Sequence, residues 1–374
     1  MLRYLKFSLL LLALSVSIPS SFGAAATDAD HAGGAAGPVK RAYKLKFSRD
    51  GHLASHNWLH SKYDVAYLKS SPVASSLPAS IDLRSGFGPI RDQGQLGSCT
   101  AFSSTGALQF VALKEQLAGL PAEFSELFQY WNSRALEGTV NQDAGASVAD
   151  AIKCLCTIGV CPSTDWAYSD QGTQFTKKPT SIAYADAKNF ADLDKGLTNI
   201  NNTDVSALKS VLASGFPVVF GFQVYSSFES QIVATTGIVP IPTPSKEQYL
   251  GGHAVVLAGY DDASSTFWVR NSWGSGWGLQ GYCKIPYAYL TNPNLASDFW
   301  AITKVGAISS TPTPANQAAQ MQATLADLQA GHVNVMSAIS SLSTAITALQ
   351  TQEGKIAASL AALQTQIGAL QVKL

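Results

Sequence analysis

The chain has 374 residues, of which 46% are apolar and 13% charged, and its 25 basic and 25 acidic side chains cancel to zero net charge. That length builds one or two domains with a substantial core. A neutral balance removes the electrostatic basis for binding nucleic acid or an anionic membrane, so neither is expected as a partner.

Arg3 and Lys6 precede an uncharged apolar run from Phe7 to about Ile18, and Pro19, Ser20 and Ser21 follow it. A basic start, a short apolar centre and a small-residue end predict a secretory signal peptide over residues 1–24, with cleavage after Gly23 or Ala25. The run falls short of the roughly 20 apolar residues of a transmembrane helix. An uncleaved anchor is the alternative. The expected destination is therefore a periplasm or the outside of the cell, with no stable membrane insertion once the signal is gone.

Residues 25–77 read as a short pro-segment or linker. Ala24 to Pro38 is rich in Ala and Gly and is expected to be disordered. Arg41 to Phe47 alternates basic and apolar side chains, which suits a short strand, and no sustained periodicity follows up to Leu77.

A dense section spans 78–306 and holds all five cysteines: Cys99, Cys154, Cys156, Cys161 and Cys283. An odd count leaves at least one thiol unpaired in a monomer. In an oxidising compartment the other four are expected to form disulfides, with Cys161 and Cys283 the favoured partners because Cys154 and Cys156 lie too close to pair with each other. Cys99 to Leu117 and Ala146 to Ile158 place apolar residues at helical spacing. Pro217 to Val224, Ala254 to Tyr260 and Phe267 to Asn271 are β-branched and aromatic, as strands are. Helices first and antiparallel strands later indicate an α+β domain.

Residues 307–318 contain S-S-T-P-T-P-A, a linker composition. Beyond it, over 319–374, apolar residues follow alternating three- and four-residue steps from Leu325 and Leu328 through Val335, Ile339, Leu342, Ile346 and Leu349 to Ile367, Leu370 and Leu374. This is a heptad repeat over about seven heptads and predicts a coiled coil. Ile at several a positions with Leu at d favours a parallel dimer, a trimer being the alternative, and His332 and Glu353 occupy a positions where a polar group can fix register. A homo-oligomer through this segment is expected; a helix folded back on the preceding domain is the other reading.

Chemistry is concentrated in the dense section. A thiol attacks a carbonyl only as thiolate, so a nucleophilic cysteine needs a local cause for a lowered pKa. Cys99 stands in G-S-C-T-A-F-S at the start of a predicted helix, where unpaired backbone N–H groups and the helix dipole favour an anion. Of the six histidines only His253 lies in this section. If a Cys–His pair operates there, His253 is its base. It begins G-G-H-A-V-V-L-A-G-Y, whose glycines permit close approach of another backbone.

With these residues the chain resembles the papain-like cysteine proteases, in the manner of bacterial or viral members. Gln93-Gly94-Gln95-Leu96-Gly97-Ser98-Cys99 is similar to the family's nucleophile segment, and Gly252-His253-Ala254-Val255 to its histidine strand. Arg270-Asn271-Ser272-Trp273-Gly274, with Gly276-Trp277-Gly278 and Gly281-Tyr282, is similar to the segment carrying its asparagine. Ile81-Asp82-Leu83-Arg84 resembles the usual start of the mature enzyme. The resemblance implies a two-lobed fold, a helical lobe bearing the nucleophile and an antiparallel β lobe bearing the histidine and asparagine.

The resemblance further implies an endopeptidase acting on peptide and protein substrates, with no cofactor and no metal. Cys99 would be the nucleophile that forms a thioester, and His253 the base that takes its proton and returns it to the leaving amine. Asn271 would orient the imidazole, as the third member of a triad does. Gln93 would help form the oxyanion hole. Trp273 would shield the Asn–His bond, and Gly145 and Ala146 would bind the substrate main chain. Leu96 replaces a disulfide cysteine of the family and Thr100 an aromatic residue. The segment before the domain lacks the family's long helical inhibitory signature and gives no ground for zymogen control. Two other readings are an inert protease fold used as a binding module, and a coiled-coil fibre carrying the domain as cargo.

Overall fold

A computed structural model describes residues 43–47, 66–68, 77–117, 119–191, 193, 196–305 and 314–371. The signal peptide expected over 1–24, most of the 25–77 segment and residues 306–313 of the linker region lie outside the described residues.

Three helices build the first half: α1 (Cys99–Lys114), α2 (Glu126–Leu136) and α3 (Val148–Thr157). Leu108 and Val111 of α1, Phe128 of α2 and Ile152 and Leu155 of α3 share one apolar core. Helix α1 is buried from Cys99 through Thr105 and again from Phe110 through Ala112. A helix enclosed that completely has to satisfy its own polar groups. The hydroxyls of Ser103 and Thr105 donate to the carbonyls of Thr100 and Ala101, at 3.1 and 2.8 Å. The helix stops three residues short of the expected Leu117, and Gln116 just beyond it takes the left-handed conformation (φ 53°). Helices α2 and α3 start on serine caps, Ser125 accepting from Phe128 N and Ser147 from Asp150 N, each at 3.0 Å.

The rest of the fold is an antiparallel sheet, as expected, although its first two strands precede the helices in the chain. Its strands are β1 (Ala66–Leu68), β2 (Ser80–Asp82), β3 (Leu197–Ile200), β4 (Val218–Tyr225), β5 (Tyr249–Asp261), β6 (Thr266–Arg270), β7 (Tyr282–Pro286) and β8 (Ala296–Ile302). They run in the order β1-β3-β8-β4-β5-β6-β7, with β2 pairing on β5, and only the β1–β3 pair is parallel. Strand β1 falls in a stretch for which the sequence suggested no element. Four further helices, α4 (Ser181–Ala187), α5 (Val205–Ala213), α6 (Gln231–Thr236) and α7 (Tyr287–Leu290), flank these parts.

Strand β5 joins the two halves. Its side chains alternate between faces, and both faces are buried: Ala254 and Val256 belong to the helical core, Val255 and Leu257 to the core of the sheet. That is why the run after His253 is continuously apolar rather than alternating.

The disulfides expected from the sequence are absent. All five cysteines are free and buried. Cys283 packs in the sheet core, apart from Cys156 in the helical core, and Cys161 shares that helical core with Cys156 without a bond. Burial pushes the thiols of Cys154 and Cys161 up to about 12, which keeps them neutral, and they behave as small apolar groups.

Helix α8 (Pro314–Gln371) closes the described chain as a single helix of 58 residues, roughly 87 Å long at 1.5 Å per residue. Leu325, Val335, Ile339, Leu342, Ile346, Leu349, Ile356, Leu360, Leu363 and Ile367 remain between 49 and 65% exposed. No helix among the described residues is long and apolar enough to cross a membrane.

Candidate active site

The site lies where the first turn of α1 meets the N-terminal part of β5. Cys99 opens α1, but Ser98 before it does not cap the helix with its side chain. The Ser98 hydroxyl pairs instead with the Tyr168 hydroxyl at 2.7 Å, and Tyr168 donates to the carbonyl of Gln93 at 2.8 Å. The N-terminal N–H groups are thus left for the sulfur of Cys99, which interacts with the backbone N–H of Cys99 and Thr100 and with that of Ala254 on β5. Three donors around one sulfur favour the thiolate. Burial outweighs them: Cys99 is fully enclosed, and its pKa is pushed up to about 12, first by desolvation and further by the nearby Asp143 carboxylate. In this closed state the thiol is neutral.

His253 precedes Ala254 on β5 and pairs with Phe222 of β4. Strand β6 runs antiparallel to β5 with Arg270 opposite Val256, so the chain leaving β6 heads back along β5 towards His253. Asn271 is the first residue out, and His253 Nε2 lies 2.8 Å from its Oδ1. An amide oxygen only accepts, so Nε2 carries the proton and Nδ1 is the ring nitrogen that can exchange one with the thiol. The Asn271 oxygen also accepts from Ser272 N at 2.9 Å, which holds the amide in place. Trp273 stacks on the imidazole with centroids 5.0 Å apart and planes 24° from parallel, is itself almost wholly buried, and covers the His–Asn contact from one side.

Gln93 is buried beside these residues. Its backbone N–H donates to Ser272 O at 2.9 Å, its Oε1 accepts from Ser272 Oγ at 2.6 Å, and its Nε2 donates to Leu96 O at 2.9 Å. An amide nitrogen has two hydrogens, so Gln93 can hold this loop and still present one N–H towards a developing oxyanion. The structure therefore brings Cys99, His253, Asn271, Gln93 and Trp273 into one cluster.

Gly145 and Ala146 lie on the opposite wall, and an extended chain already rests on them: residues 43–47 of the N-terminal segment. Lys46 N donates to Ala146 O at 3.1 Å and Leu45 N to Gly252 O at 3.0 Å, with Lys44 bridged to Gly252 in parallel. Gly145 has φ 71°, and a Cβ there would stand 1.7 Å from the carbonyl oxygen of Lys44, so only glycine admits this backbone. The Tyr43 ring meets His253 and Trp273 edge-on, each at 5.9 Å. Leu45 and Phe47 are buried, while Tyr43 and Lys46 reach Glu229 and Glu137. The alternation of basic and apolar residues noted in the sequence is thus real, but the segment lies in the cleft. Zymogen control was not expected from the sequence, and these five residues lie along Gly145, Ala146 and Gly252.

Sequence reasoning missed the supports of the cluster: Tyr168, Ser272 as the partner of Gln93, and the pair Tyr130–Asp143, whose hydroxyl–carboxylate contact lies next to Gly145. None belongs to a local motif that names its partner, because those partners come from distant parts of the chain. A cavity beside the catalytic strand is lined by Arg91, Gln109, Glu126, Ala254 and Asn271 among others. Glu126 in it is pushed up to about 7 by burial, against the pull of Arg91.

Comparison with known proteins agrees with this geometry. Residues 77–300 match the papain family cysteine protease model. An uncharacterized peptidase C1-like protein of Acanthamoeba polyphaga mimivirus is 43% identical over 221 residues, covering 57% of this chain and 69% of that one. Mouse pro-cathepsin H is 28% identical over 215 residues, covering 55% of this chain and 59% of the precursor. Among solved structures, xylellain, a cysteine protease from Xylella fastidiosa, is similar with a TM-score of 0.59 and 37% identity, over 65% of this chain and 92% of that one. A viral and a bacterial relative are what the Leu96 and Thr100 departures suggested.

Proposed function

The chain belongs to the papain family of cysteine proteases, and on that premise we propose that it is an exported endopeptidase whose cleft is masked by its own residues 43–47. The observation that carries the reading is His253, held through Nε2 by Asn271 at 2.8 Å on the strand whose Ala254 N–H reaches the Cys99 sulfur. Catalysis begins when the segment leaves and a peptide takes its track on Gly145, Ala146 and Gly252. Water and substrate then relieve the desolvation that keeps the thiol neutral, and the helix N-terminus and the imidazolium stabilise the thiolate. Cys99 attacks the carbonyl, His253 passes the proton to the leaving amine, and water hydrolyses the thioester. Gln93 and the Cys99 N–H receive the oxyanion.

Three finer features complete the proposal. The basic and apolar N-terminus directs export. Residues 25–77 act as a pro-segment to a domain over 78–306. The exposed heptad face of α8 pairs with further copies of the chain as a coiled coil.

The test is labelling with a thiol-reactive peptide electrophile under mildly reducing conditions. Stoichiometric modification at Cys99 that is lost on denaturation or in His253→Ala establishes the Cys–His pair. Labelling that appears only after residues before Pro78 are removed makes the segment inhibitory. No labelling in either form sinks the enzymatic reading and favours an inert binding module.

A further inference from the structure

The apolar stripe of α8 is interrupted at two places, and the two interruptions are opposite in kind. Counted in alternating three- and four-residue steps from Leu325, His332 and Glu353 fall where Ile339, Ile346 and Ile367 stand in other turns. Both side chains are exposed in the single chain, as is the stripe around them. The only other charged residues of the helix, Asp327 and Lys355, each stand two residues past a stripe position.

A partner for this face has to match a stripe that repeats every seven residues from Leu325 to Ile367, about 63 Å of helix. A second copy of the chain carries the same spacing, and with so few charges the copies do not repel each other. The two polar positions decide the orientation. In parallel copies in register each residue faces its own counterpart, so Glu353 meets Glu353. Gln350, Gln352 and Ala357 flank that layer and bring no cation, so two carboxylates would be enclosed against each other.

Antiparallel copies meet in reverse order. The register that overlaps almost the whole helix sets Leu325 against Leu363, Ile339 against Leu349 and Leu342 against Ile346. It also sets His332 against Ile356 and Val335 against Glu353. His332 of one copy then stands one layer, about 4.5 Å along the axis, from Glu353 of the other. There an imidazole N–H donates to the carboxylate, and the two-fold axis repeats the contact.

We infer that α8 is the interface of an antiparallel pair of chains, in which His332 of each copy pairs with Glu353 of the other. This rests on the coil pairing proposed above and gives it a direction, against the parallel order that the Ile and Leu positions favour by themselves. Each domain joins α8 near Pro314, so the pair carries its two domains at opposite ends of a rod roughly 87 Å long.

The experiment uses the full chain with Cys99→Ala, which leaves only buried native thiols, and Ala358→Cys, an exposed position off the stripe, to carry a spin label. Double electron–electron resonance reads the separation of the labels. The stated register holds residues 358 about 42 Å apart along the axis. A shift of one heptad that also keeps His332 beside Glu353 gives about 53 Å, and either distance supports the inference. Labels within about 20 Å, the width of two helices, would mean parallel copies and overturn it while leaving the coil pairing intact. So would about 32 Å, the antiparallel register that parts the two side chains. A chain that stays monomeric by light scattering would bring down the coil pairing and this inference together. Glu353→Gln, which keeps the side-chain shape, is expected to raise the dissociation constant of the pair at least about fivefold, because two equivalent contacts are lost. In parallel copies the same substitution relieves facing carboxylates, so unchanged or tighter association would overturn the pairing.

Discussion

The catalytic domain and the C-terminal helix contain the same kinds of apolar side chain and treat them in opposite ways. In the domain, Leu108, Ile152, Val255 and Leu257 are buried to within 2% because helices and sheet close over them. In α8, Ile339, Leu342 and Leu360 stay more than half exposed. A single helix cannot enclose its own stripe, and isolated helices gain most of their stability from packing. The domain completes itself within one chain. The apolar stripe of α8 from Leu325 to Ile367 stays open to solvent in the single chain.

That contrast can be broken or sharpened by experiment. The largest effect belongs to the domain: Cys99→Ala or His253→Ala should lower kcat/KM for a cleaved peptide by on the order of 10⁴-fold or more, with circular dichroism unchanged. A residual rate near wild type would move the chemistry elsewhere. Asn271→Ala should cost less, roughly 100-fold, because it orients the base without exchanging a proton with substrate. Its loss should appear in kcat more than in KM.

A pH experiment tests how dry the domain's interior is. Burial raises Glu126 from 4.5 to about 7, so the folded state holds a proton that the unfolded chain has already lost between those values. The corresponding stability is fully present below about pH 4.5 and is lost as pH rises through about 7. Glu126→Gln keeps the neutral shape and should remove that decline, a difference of up to about 3 kcal/mol between pH 4.5 and pH 8 in denaturant titrations. Identical pH profiles for variant and wild type would mean that Arg91 already holds the carboxylate ionised.

The smallest change is the most informative for the comparison. Deleting residues after Thr311 should convert an oligomer to a monomer by light scattering and leave kcat/KM within about twofold, because the contacts of α8 with the domain fall mainly on α4, which carries no site residue. A large loss of activity would make the tail part of the catalytic unit.

Much of the site was legible because its chemistry is written in short segments. The nucleophile at a helix start, the histidine on a glycine-rich strand and the N-S-W-G turn are local patterns, and their order named the family. The register that puts Asn271 beside His253 is a property of the β5–β6 pairing, and the sequence implied it only through that resemblance. The disulfides were misjudged because compartment and count say nothing of distance: Cys283 entered a different core from Cys156 and Cys161.

The sequence by itself determined what depends on near neighbours: the helical start that gathers N–H groups at Cys99, the β-branched strands, and the heptad stripe of α8. Tertiary structure alone decided what depends on residues far apart in the chain. It laid residues 43–47 across the cleft, set Tyr168 against Gln93, and placed Asp143 between Gly97 and Lys44. Periodicity and motif spacing encode the first kind of contact because helices and strands repeat over a few residues. Contacts between distant segments have no such period, and they exist only once the chain has closed on itself.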